Sequence, residues 1–363
     1  MSSSTSPRIL LTGATGFIGG AVLTHLLNSS SPILSNTAIT CLVRGTDRVS
    51  KLKATYGDRV HPILYRDLDD IEVTTAAAAE HDLVINTTLG FHAASAQALL
   101  LGLAQRKAST GRDVWMVHTS GQSNLSEQTF SRTYMEDTPG REFNDAVDDI
   151  YDYEKQREAL HPYLQRSTEL GVIDSGLELG VKTLVIMSPT IYGLGSGLFN
   201  RISIQIPTYI RTALAHGRAI VVGSGDNVND KVHVEDLADL YTIIALDILG
   251  NEGKHCPVGK TGIMFSGTGR FSWKEVAQEV AEACYEEGKI SNKEVESVSL
   301  SEAARLFTSY AADKVDEDNV ELGLASNVRT IAAVAKTLGW KPSRGEEEWR
   351  RGFRDDVKEI LKR

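Results

Sequence analysis

The sequence of 363 residues predicts an α/β fold built on a doubly wound parallel sheet, with a smaller C-terminal lobe. Short apolar runs alternate with helical patterns through the first half of the chain, which is typical of right-handed βαβ units. Most of these runs are apolar throughout, as expected of strands that are buried on both faces of a parallel sheet. The predicted strands cover 8–12, 38–43, 61–65, 83–86, 114–118 and 181–187.

Helical patterns separate the strands and continue beyond them. Apolar residues recur at helical spacing over 18–27 and 93–105, and further helices are predicted at 202–215, 235–250, 273–287, 330–338 and from 346 onward. We expect residues 1–192 to form the domain that contains the sheet. Residues 193–363 are expected to form mainly a second lobe, with some segments returning to the first domain.

Composition limits the class of protein. The formal net charge is -10 and there is no run of lysines or arginines, which argues against a nucleic-acid partner. The three cysteines are too far apart for a redox pair or a zinc cluster. No apolar stretch approaches the ~20 residues that span a bilayer, and the N-terminus lacks the pattern of a signal peptide. We expect a cytoplasmic protein without a membrane partner, as a monomer or homodimer.

A glycine-rich turn follows the first predicted strand, with glycines at 13, 16 and 19. Glycine permits backbone angles closed to other residues and lets a pyrophosphate approach the backbone. The helix that begins at once supplies unpaired N–H groups and the positive end of its dipole. The turn therefore predicts a dinucleotide site of the Rossmann type, to which Gly13, Thr15, Gly16, Phe17, Ile18 and Gly19 contribute.

The residue after the second strand indicates which nicotinamide cofactor binds. That strand ends in Arg44, with Arg48 and Lys51 nearby. A guanidinium pairs with the 2′-phosphate of NADP(H), whereas enzymes that use NAD(H) usually place an acidic residue there. NADP(H) is favoured, with NAD(H) and a solvated basic loop as the alternatives.

The segment Thr12-Gly13-Ala14-Thr15-Gly16-Phe17-Ile18-Gly19 resembles the extended short-chain dehydrogenase/reductase family. The resemblance covers nearly the whole chain, including Pro189-Thr190-Ile191-Tyr192-Gly193 and Leu338-Gly339-Trp340-Lys341-Pro342. It implies an oxidoreductase that takes a small-molecule substrate in the second lobe. It also implies that the cofactor contacts Asp67, Leu68, Thr87, Pro189 and Ile191.

Three residues are candidates for the chemistry. Tyr151 and Lys155 are four apart in a predicted helix and therefore share a face. A lysine ammonium beside a phenol favours the phenolate, which lowers the tyrosine pKa from its ordinary value of about 10. The resemblance implies that Tyr151 transfers a proton, that Lys155 also binds the cofactor ribose, and that Ser120 binds the carbonyl oxygen. Thr119 is the alternative to Ser120.

The Tyr-x-x-x-Lys spacing occurs three times. Tyr285 with Lys289 and Tyr310 with Lys314 also fit it. Only Tyr151 and Lys155 follow the fifth strand, where the family places its pair. We expect the other two pairs to lie at the surface.

The sequence favours NADP(H)-dependent reduction of a ketone or aldehyde of a small organic substrate, or oxidation of the matching alcohol. Met187-Ser188-Pro189 stands where sugar-nucleotide enzymes of the family carry Phe-Asn. An NAD-dependent nucleotide-sugar epimerase is the first alternative, in which Arg201 or Arg211 would bind the diphosphate. A non-catalytic NADP(H)-sensing regulator is the second.

Overall fold

The computed structural model describes residues 7–308, 310 and 315–362. Its strands are β1 Ile9–Thr12, β2 Ile39–Val43, β3 Val60–Leu64, β4 Leu83–Asn86, β5 Trp115–Gly121, β6 Phe143–Asn144, β7 Lys182–Ser188, β8 Thr190–Tyr192, β9 Ala219–Val222, β10 Val228–His233, β11 Ile263–Phe265, β12 Gly269–Ser272, β13 Val295–Val298 and β14 Thr330–Ile331.

The helices alternate with these strands in the first half of the chain and predominate in the second. They are α1 Phe17–Asn28, α2 Pro32–Ser35, α3 Thr46–Tyr56, α4 Ile71–Ala78, α5 Ala93–Thr110, α6 Ile150–Leu160, α7 Leu164–Leu179, α8 Gln205–His216, α9 Val234–Asn251, α10 Trp273–Glu286, α11 Leu300–Leu306, α12 Glu317–Leu324, α13 Val334–Thr337 and α14 Glu346–Leu361. Short 3-10 helices cover Gly57–Arg59, Gln122–Leu125 and Gly259–Thr261.

The main sheet has seven strands in the order β11-β7-β5-β4-β1-β2-β3. All of its strand pairs are parallel. The predicted doubly wound α/β fold is therefore confirmed. Because the chain order reverses on the two sides of β1, a crevice opens at the carboxyl ends of β1 and β4, where such folds bind ligands.

Helices cover both faces of this sheet, which explains why most residues of its strands are apolar. Successive side chains of a strand point to opposite faces. Leu11 therefore packs on the side of α1 and α9, and Leu10 packs on the side of α4 and α5. None of the described helices is both long enough and apolar enough to cross a membrane.

The chain beyond residue 192 is divided between two cores. One part joins the main sheet, because α9 packs against α1 and β11 pairs with β7. The other part packs α8, α10 and α14 around a second apolar core that contains the buried indoles of Trp273 and Trp349. Residues 330–338 begin as β14 rather than as the predicted helix, since Thr330 and Ile331 pair with β6.

Two antiparallel helices, α6 and α7, connect β5 to β7. Proline disfavours a helical conformation in the residue before it, and α6 ends at Leu160, just before His161-Pro162. A new helix then begins at Leu164. This helix passes through Gly171 and ends at Leu179. Because of this break between α6 and α7, a tyrosine at the start of α7, and not one in α6, lies at the carboxyl edge of the sheet.

Candidate active site

The turn after β1 is held in a conformation that requires glycine. Gly13 has a φ of +78°, in the left-handed region. A Cβ atom on Gly19 would lie 2.3 Å from the Gly13 carbonyl oxygen and 2.4 Å from Oγ1 of Thr87. α1 begins directly after Gly16, and no side chain caps its first N–H groups. These groups are free to bind an anion, so the turn fits a dinucleotide pyrophosphate.

A groove of about 690 Å³ extends from this turn across the carboxyl ends of β2 and β4. Most of the residues predicted to bind the cofactor line it. They are Gly13, Thr15, Gly16, Phe17, Ile18, Arg44, Leu68, Thr87, Pro189 and Ile191. Gly19 contributes by keeping α1 close to the turn. Sequence reasoning missed Tyr65, Asn200 and Ser203, which also line the groove and follow no motif.

Arginine supplies the charge of the groove. Arg44 and Arg48 both line it, and Nη1 of Arg48 lies 3.4 Å from Oγ1 of Thr15. Among the residues that the structure describes, no aspartate or glutamate lines this groove. The charge therefore suits a phosphate group better than a bare ribose hydroxyl.

Asp67 does not line the groove, in contrast to the prediction. Its carboxylate accepts a hydrogen bond from the Asp69 backbone N–H at 2.9 Å and pairs with Nε of Arg66 at 3.2 Å. Both contacts hold the carboxylate within its own loop. The neighbouring Leu68 lines the groove instead.

A second cavity, of about 240 Å³, continues from the groove above the end of β5. Ile18, Pro189, Ile191, Ile204 and Gln205 line both spaces, which makes them one cleft. The described residues that line this cavity carry no charged side chain. Its polar groups are hydroxyls and amides, so it suits an uncharged molecule.

Ser120 lies in this cavity, as predicted for a residue that binds substrate. It is 4% exposed, and Nδ2 of Asn124 lies 3.3 Å from its Oγ. Thr119 also reaches the cavity, but its hydroxyl is engaged by the Asn86 carbonyl at 2.9 Å and by the Tyr241 hydroxyl at 2.5 Å. Ser120 is therefore the better candidate for the hydroxyl at the end of β5 that binds a substrate.

The structure does not bring Tyr151 and Lys155 to Ser120. The Tyr151 hydroxyl donates to Oδ1 of Asp174 at 2.5 Å, and Nζ of Lys155 lies 3.1 Å from Oδ2 of the same carboxylate. Asp174 follows Gln165, a cavity residue, by nine positions in α7, which is about 14 Å along the helix axis.

Tyr151 also faces the wrong edge of the sheet. Nζ of Lys260 lies 4.9 Å from the centre of its ring, and Lys260 comes just before β11, at the amino edge of the sheet. The glycine turn lies at the opposite, carboxyl edge. In addition, the hydrogen bond to Asp174 raises the pKa of Tyr151 to about 12, the reverse of the lowering expected from Lys155. This geometry corrects the predicted placement of the catalytic pair.

Of the described tyrosines that line the same cavity as Ser120, Tyr163 is the one that comes from the segment between β5 and β7. Its hydroxyl donates to Oγ of Ser123 at 3.2 Å, and Ser123 donates to Oε1 of Gln165 at 2.6 Å. Burial raises the pKa of Tyr163, so the phenol remains protonated at neutral pH. Tyr163 does not fit the Tyr-x-x-x-Lys spacing, because the residue four positions later is Ser167. The signal that could have indicated it is Pro162, which marks the start of a new helix.

The other repeated pairs have different fates. Tyr285 is 43% exposed, as predicted. Tyr310 lines the cavity, so the surface position expected for it is wrong, and Lys314 lies outside the described residues. Arg201 donates to the Gly195 carbonyl, and neither it nor Arg211 lines the cavity.

Comparison with known proteins supplies independent information. A model of the family described as "NAD dependent epimerase/dehydratase family" matches residues 9–259. The Oxidase ucsJ of Acremonium sp. is 29% identical over 350 residues, which covers 92% of each chain. An uncharacterised protein of Saccharomyces cerevisiae is 25% identical over 341 residues, covering 92% of this chain and 94% of the yeast protein.

Solved structures with low sequence identity share the fold. The dTDP-glucose 4,6-dehydratase of Bacillus anthracis, in complex with NAD, has a TM-score of 0.63 at 15% identity and covers 98% of this chain and 97% of its own. Vestitone reductase from alfalfa has a TM-score of 0.59 at 15% identity, with 98% and 99% covered.

Proposed function

This chain belongs to the NAD dependent epimerase/dehydratase family, and we propose that it is an NADP(H)-dependent oxidoreductase that reduces a ketone or aldehyde of a small uncharged substrate, or oxidises the matching alcohol. Membership confirms the resemblance to extended short-chain dehydrogenase/reductases. The relative named as an oxidase supports redox chemistry.

One observation carries the proposal. The cleft joins an arginine-lined groove at the glycine turn to a neutral cavity that holds the hydroxyls of Ser120 and Tyr163. A nicotinamide reductase needs these two spaces to be continuous, because hydride passes directly from the cofactor to the substrate. Pro189 and Ile191 lie at the junction and line both spaces.

The preference for NADP(H) rests on Arg44 and Arg48. A guanidinium forms paired, charge-assisted hydrogen bonds with a phosphate, and its charge does not depend on pH. With no described carboxylate lining the groove, nothing there selects the 2′-hydroxyl of NAD(H). Solved structures of the fold in complex with NAD make NAD(H) the alternative to be tested.

The chain's own contribution to the reaction is to bind and polarise a carbonyl oxygen. The cofactor, when bound, would supply the hydride. Ser120 and Tyr163 would both donate hydrogen bonds to the oxygen, where negative charge develops in the transition state. Tyr163 suits this role because its raised pKa keeps the phenol protonated. Phe91 and Tyr310 would pack against the body of the substrate.

The neutral cavity favours reduction over sugar-nucleotide epimerisation. A nucleotide diphosphate is recognised by cationic side chains or by free backbone N–H groups. No described lysine or arginine lines the cavity. An uncharged aldehyde or ketone is therefore the better match.

A specific observation favours a second candidate, an NADP(H)-binding regulator without turnover. The position four residues after Tyr163 holds Ser167, whose hydroxyl is bonded to Glu158. Lys155 is held by Asp174 instead. A protein with this cleft and no lysine beside its tyrosine could retain cofactor binding after losing catalysis.

Incubating the purified protein with NADPH or NADH and a panel of uncharged aldehydes and ketones separates these candidates. The proposal expects turnover with NADPH that falls in Ser120→Ala and Tyr163→Phe but not in Tyr285→Phe, a change at an exposed tyrosine. Tight NADPH binding without turnover on any carbonyl would instead support the regulator. Copurified NAD and turnover of a nucleotide sugar would support the epimerase.

A further inference from the structure

We propose that Glu154 and Glu169 share a proton in the protein interior and exchange it with the substrate cavity through Ser120. This inference rests on the proposed function for its use in turnover. The existence of the shared proton is independent of that function.

The two carboxyl groups face each other between α6 and α7, and both residues are 0% exposed. Among the described residues, no donor makes a hydrogen bond of good geometry with either oxygen of Glu154 or with Oε1 of Glu169, although the Asn124 amide lies near both carboxyl groups. Two buried carboxylates with so few donors repel each other and lose their hydration. A proton on one carboxyl group would supply the missing donor, since the two groups are within hydrogen-bond reach.

The surrounding charges do not remove the need for this proton. The cation that faces both carboxyl groups is Arg166 of α7. Its guanidinium donates to Oε2 of Glu158 at 2.9 Å, to the Asn124 carbonyl at 2.8 Å and to the His161 carbonyl. One positive charge, shared with a third carboxylate, cannot neutralise the pair. Burial and the neighbouring Glu169 accordingly raise the pKa of Glu154, and burial raises the pKa of Glu169.

A short hydrogen-bonded route leads from the pair to the cavity. Nδ2 of Asn124 donates to Oε2 of Glu169 at 2.7 Å and lies 3.3 Å from Oγ of Ser120. The Ser120 hydroxyl itself is within hydrogen-bond reach of Glu169. Because Asn124 donates to the serine oxygen, the serine proton is left for Glu169 or for a molecule in the cavity. Ser120 thus links Glu169 to a molecule in the cavity.

The proton balance of carbonyl reduction gives the pair its use. Reduction adds a hydride to the carbonyl carbon and a proton to the carbonyl oxygen. The oxygen would take the proton of the Ser120 hydroxyl, and Ser120 would regain one from the Glu169 carboxyl. The pair is then left without its proton, and the Asn124 amide and the Arg166 guanidinium face the two carboxylates in the meantime. A proton from solvent then restores the pair, and alcohol oxidation reverses each step.

Infrared spectroscopy in D₂O tests the shared proton without any substrate. The wild-type protein should show the band of a protonated carboxyl group at neutral pH, and the band should weaken as the pH is raised. Glu154→Gln and Glu169→Gln should each change it, whereas Glu178→Gln, an exposed position on α7, should not. Absence of the band from the wild-type protein at neutral pH would overturn the pair.

Two measurements test the route to the cavity. Ser120→Ala should shift the carboxyl band, because it removes a hydroxyl that contacts Glu169; an unchanged band overturns the link. In turnover with NADPH, Glu169→Gln should lower kcat about 100-fold at neutral pH and abolish the wild-type pH dependence in that range. Turnover with an unchanged pH profile in Glu169→Gln also overturns the link. If the wild-type protein reduces no carbonyl substrate but shows the infrared band, the proposed function is rejected and the shared proton is retained.

Discussion

The Tyr151 hydroxyl donates a hydrogen bond to Oδ1 of Asp174, 2.5 Å away, and so lies about 14 Å along α7 from the cavity residue Gln165. The tyrosine with the familiar spacing is thus bound to a neighbouring helix. Tyr163, which lines the cavity, is the first residue after Pro162. This separation makes the two positions experimentally distinguishable.

We expect Tyr151→Phe to leave kcat and KM with NADPH within about twofold of the wild type, and to cost about 1 kcal/mol of unfolding free energy for the lost hydrogen bond. Tyr163→Phe should lower kcat about 100-fold, because it removes a donor to the developing oxyanion. Steady-state kinetics and urea denaturation measure the two effects. A larger loss of kcat in Tyr151→Phe than in Tyr163→Phe would instead indicate that Tyr151 takes part in the reaction.

Replacing Arg44 should change the cofactor preference. A charge-assisted hydrogen bond contributes about 1.5–3 kcal/mol, so Arg44→Ala should weaken NADPH binding about 10- to 100-fold. NADH, which lacks the 2′-phosphate, should bind with nearly unchanged affinity. Titration of both cofactors by calorimetry gives the two dissociation constants, with Lys53→Ala, an exposed change on α3, as the control. Equal losses for NADPH and NADH would argue against a 2′-phosphate contact.

A methyl group at Gly19 should disrupt the turn, since its Cβ would lie 2.3 Å from the Gly13 carbonyl oxygen. Overpacking of this kind costs about 1–3 kcal/mol, and we expect Gly19→Ala to lose that stability together with NADPH binding. Gly171→Ala is the matched control, because it lies within α7 with no atom within 4 Å of its new Cβ. It should stabilise the fold by about 0.5–1 kcal/mol. Urea denaturation and NADPH titration report both effects.

The pair of His25 and Glu235 between α1 and α9 should make stability depend on pH. Burial lowers the pKa of His25, but hydrogen bonds and charges from Glu235 and Asp239 outweigh it and raise that pKa above its ordinary 6.5. For Glu235, burial raises the pKa, but the hydrogen bond from His25 and further contacts lower it below its ordinary 4.5.

A raised histidine pKa gives stability that is complete below pH 6.5 and lost as pH rises through the folded value. A lowered carboxyl pKa gives stability that is present above pH 4.5 and lost as pH falls through the folded value. His25→Gln should therefore be most destabilising between these limits, by about 1 kcal/mol. Urea denaturation across pH measures this, with His61→Gln, an exposed change, as the control. A difference that grows above pH 7 would contradict the assignment.

The parts of the fold that depend on local sequence were predictable. The run Leu83–Asn86 matches β4 at both ends, because a strand that is buried on both faces is mostly apolar. The glycine turn was predictable because its conformation requires glycine at particular positions, which can be read directly from the sequence. β11 was missed because three residues, Ile263–Phe265, carry too little pattern to be distinguished from a buried loop.

The catalytic pair could not be derived in this way. Spacing shows that Tyr151 and Lys155 share one face of α6, but it does not show what that face packs against. That face packs against Asp174, which lies in the next helix, 23 residues after Tyr151. The neutral lining of the cavity could not be read from one stretch of sequence either, since Ser120, Tyr163 and Tyr310 come from three separate segments.

The cavity is closed by Tyr310, Asn319 and Leu322, which lie beyond residue 259, where the match to the family ends. Under the proposed function, the part of the cleft within the family match would hold the cofactor, and residues beyond it would contribute to the contacts with the substrate. We therefore expect that exchanging residues 316–324 for those of a relative would change the KM for carbonyl substrates more than the affinity for NADPH.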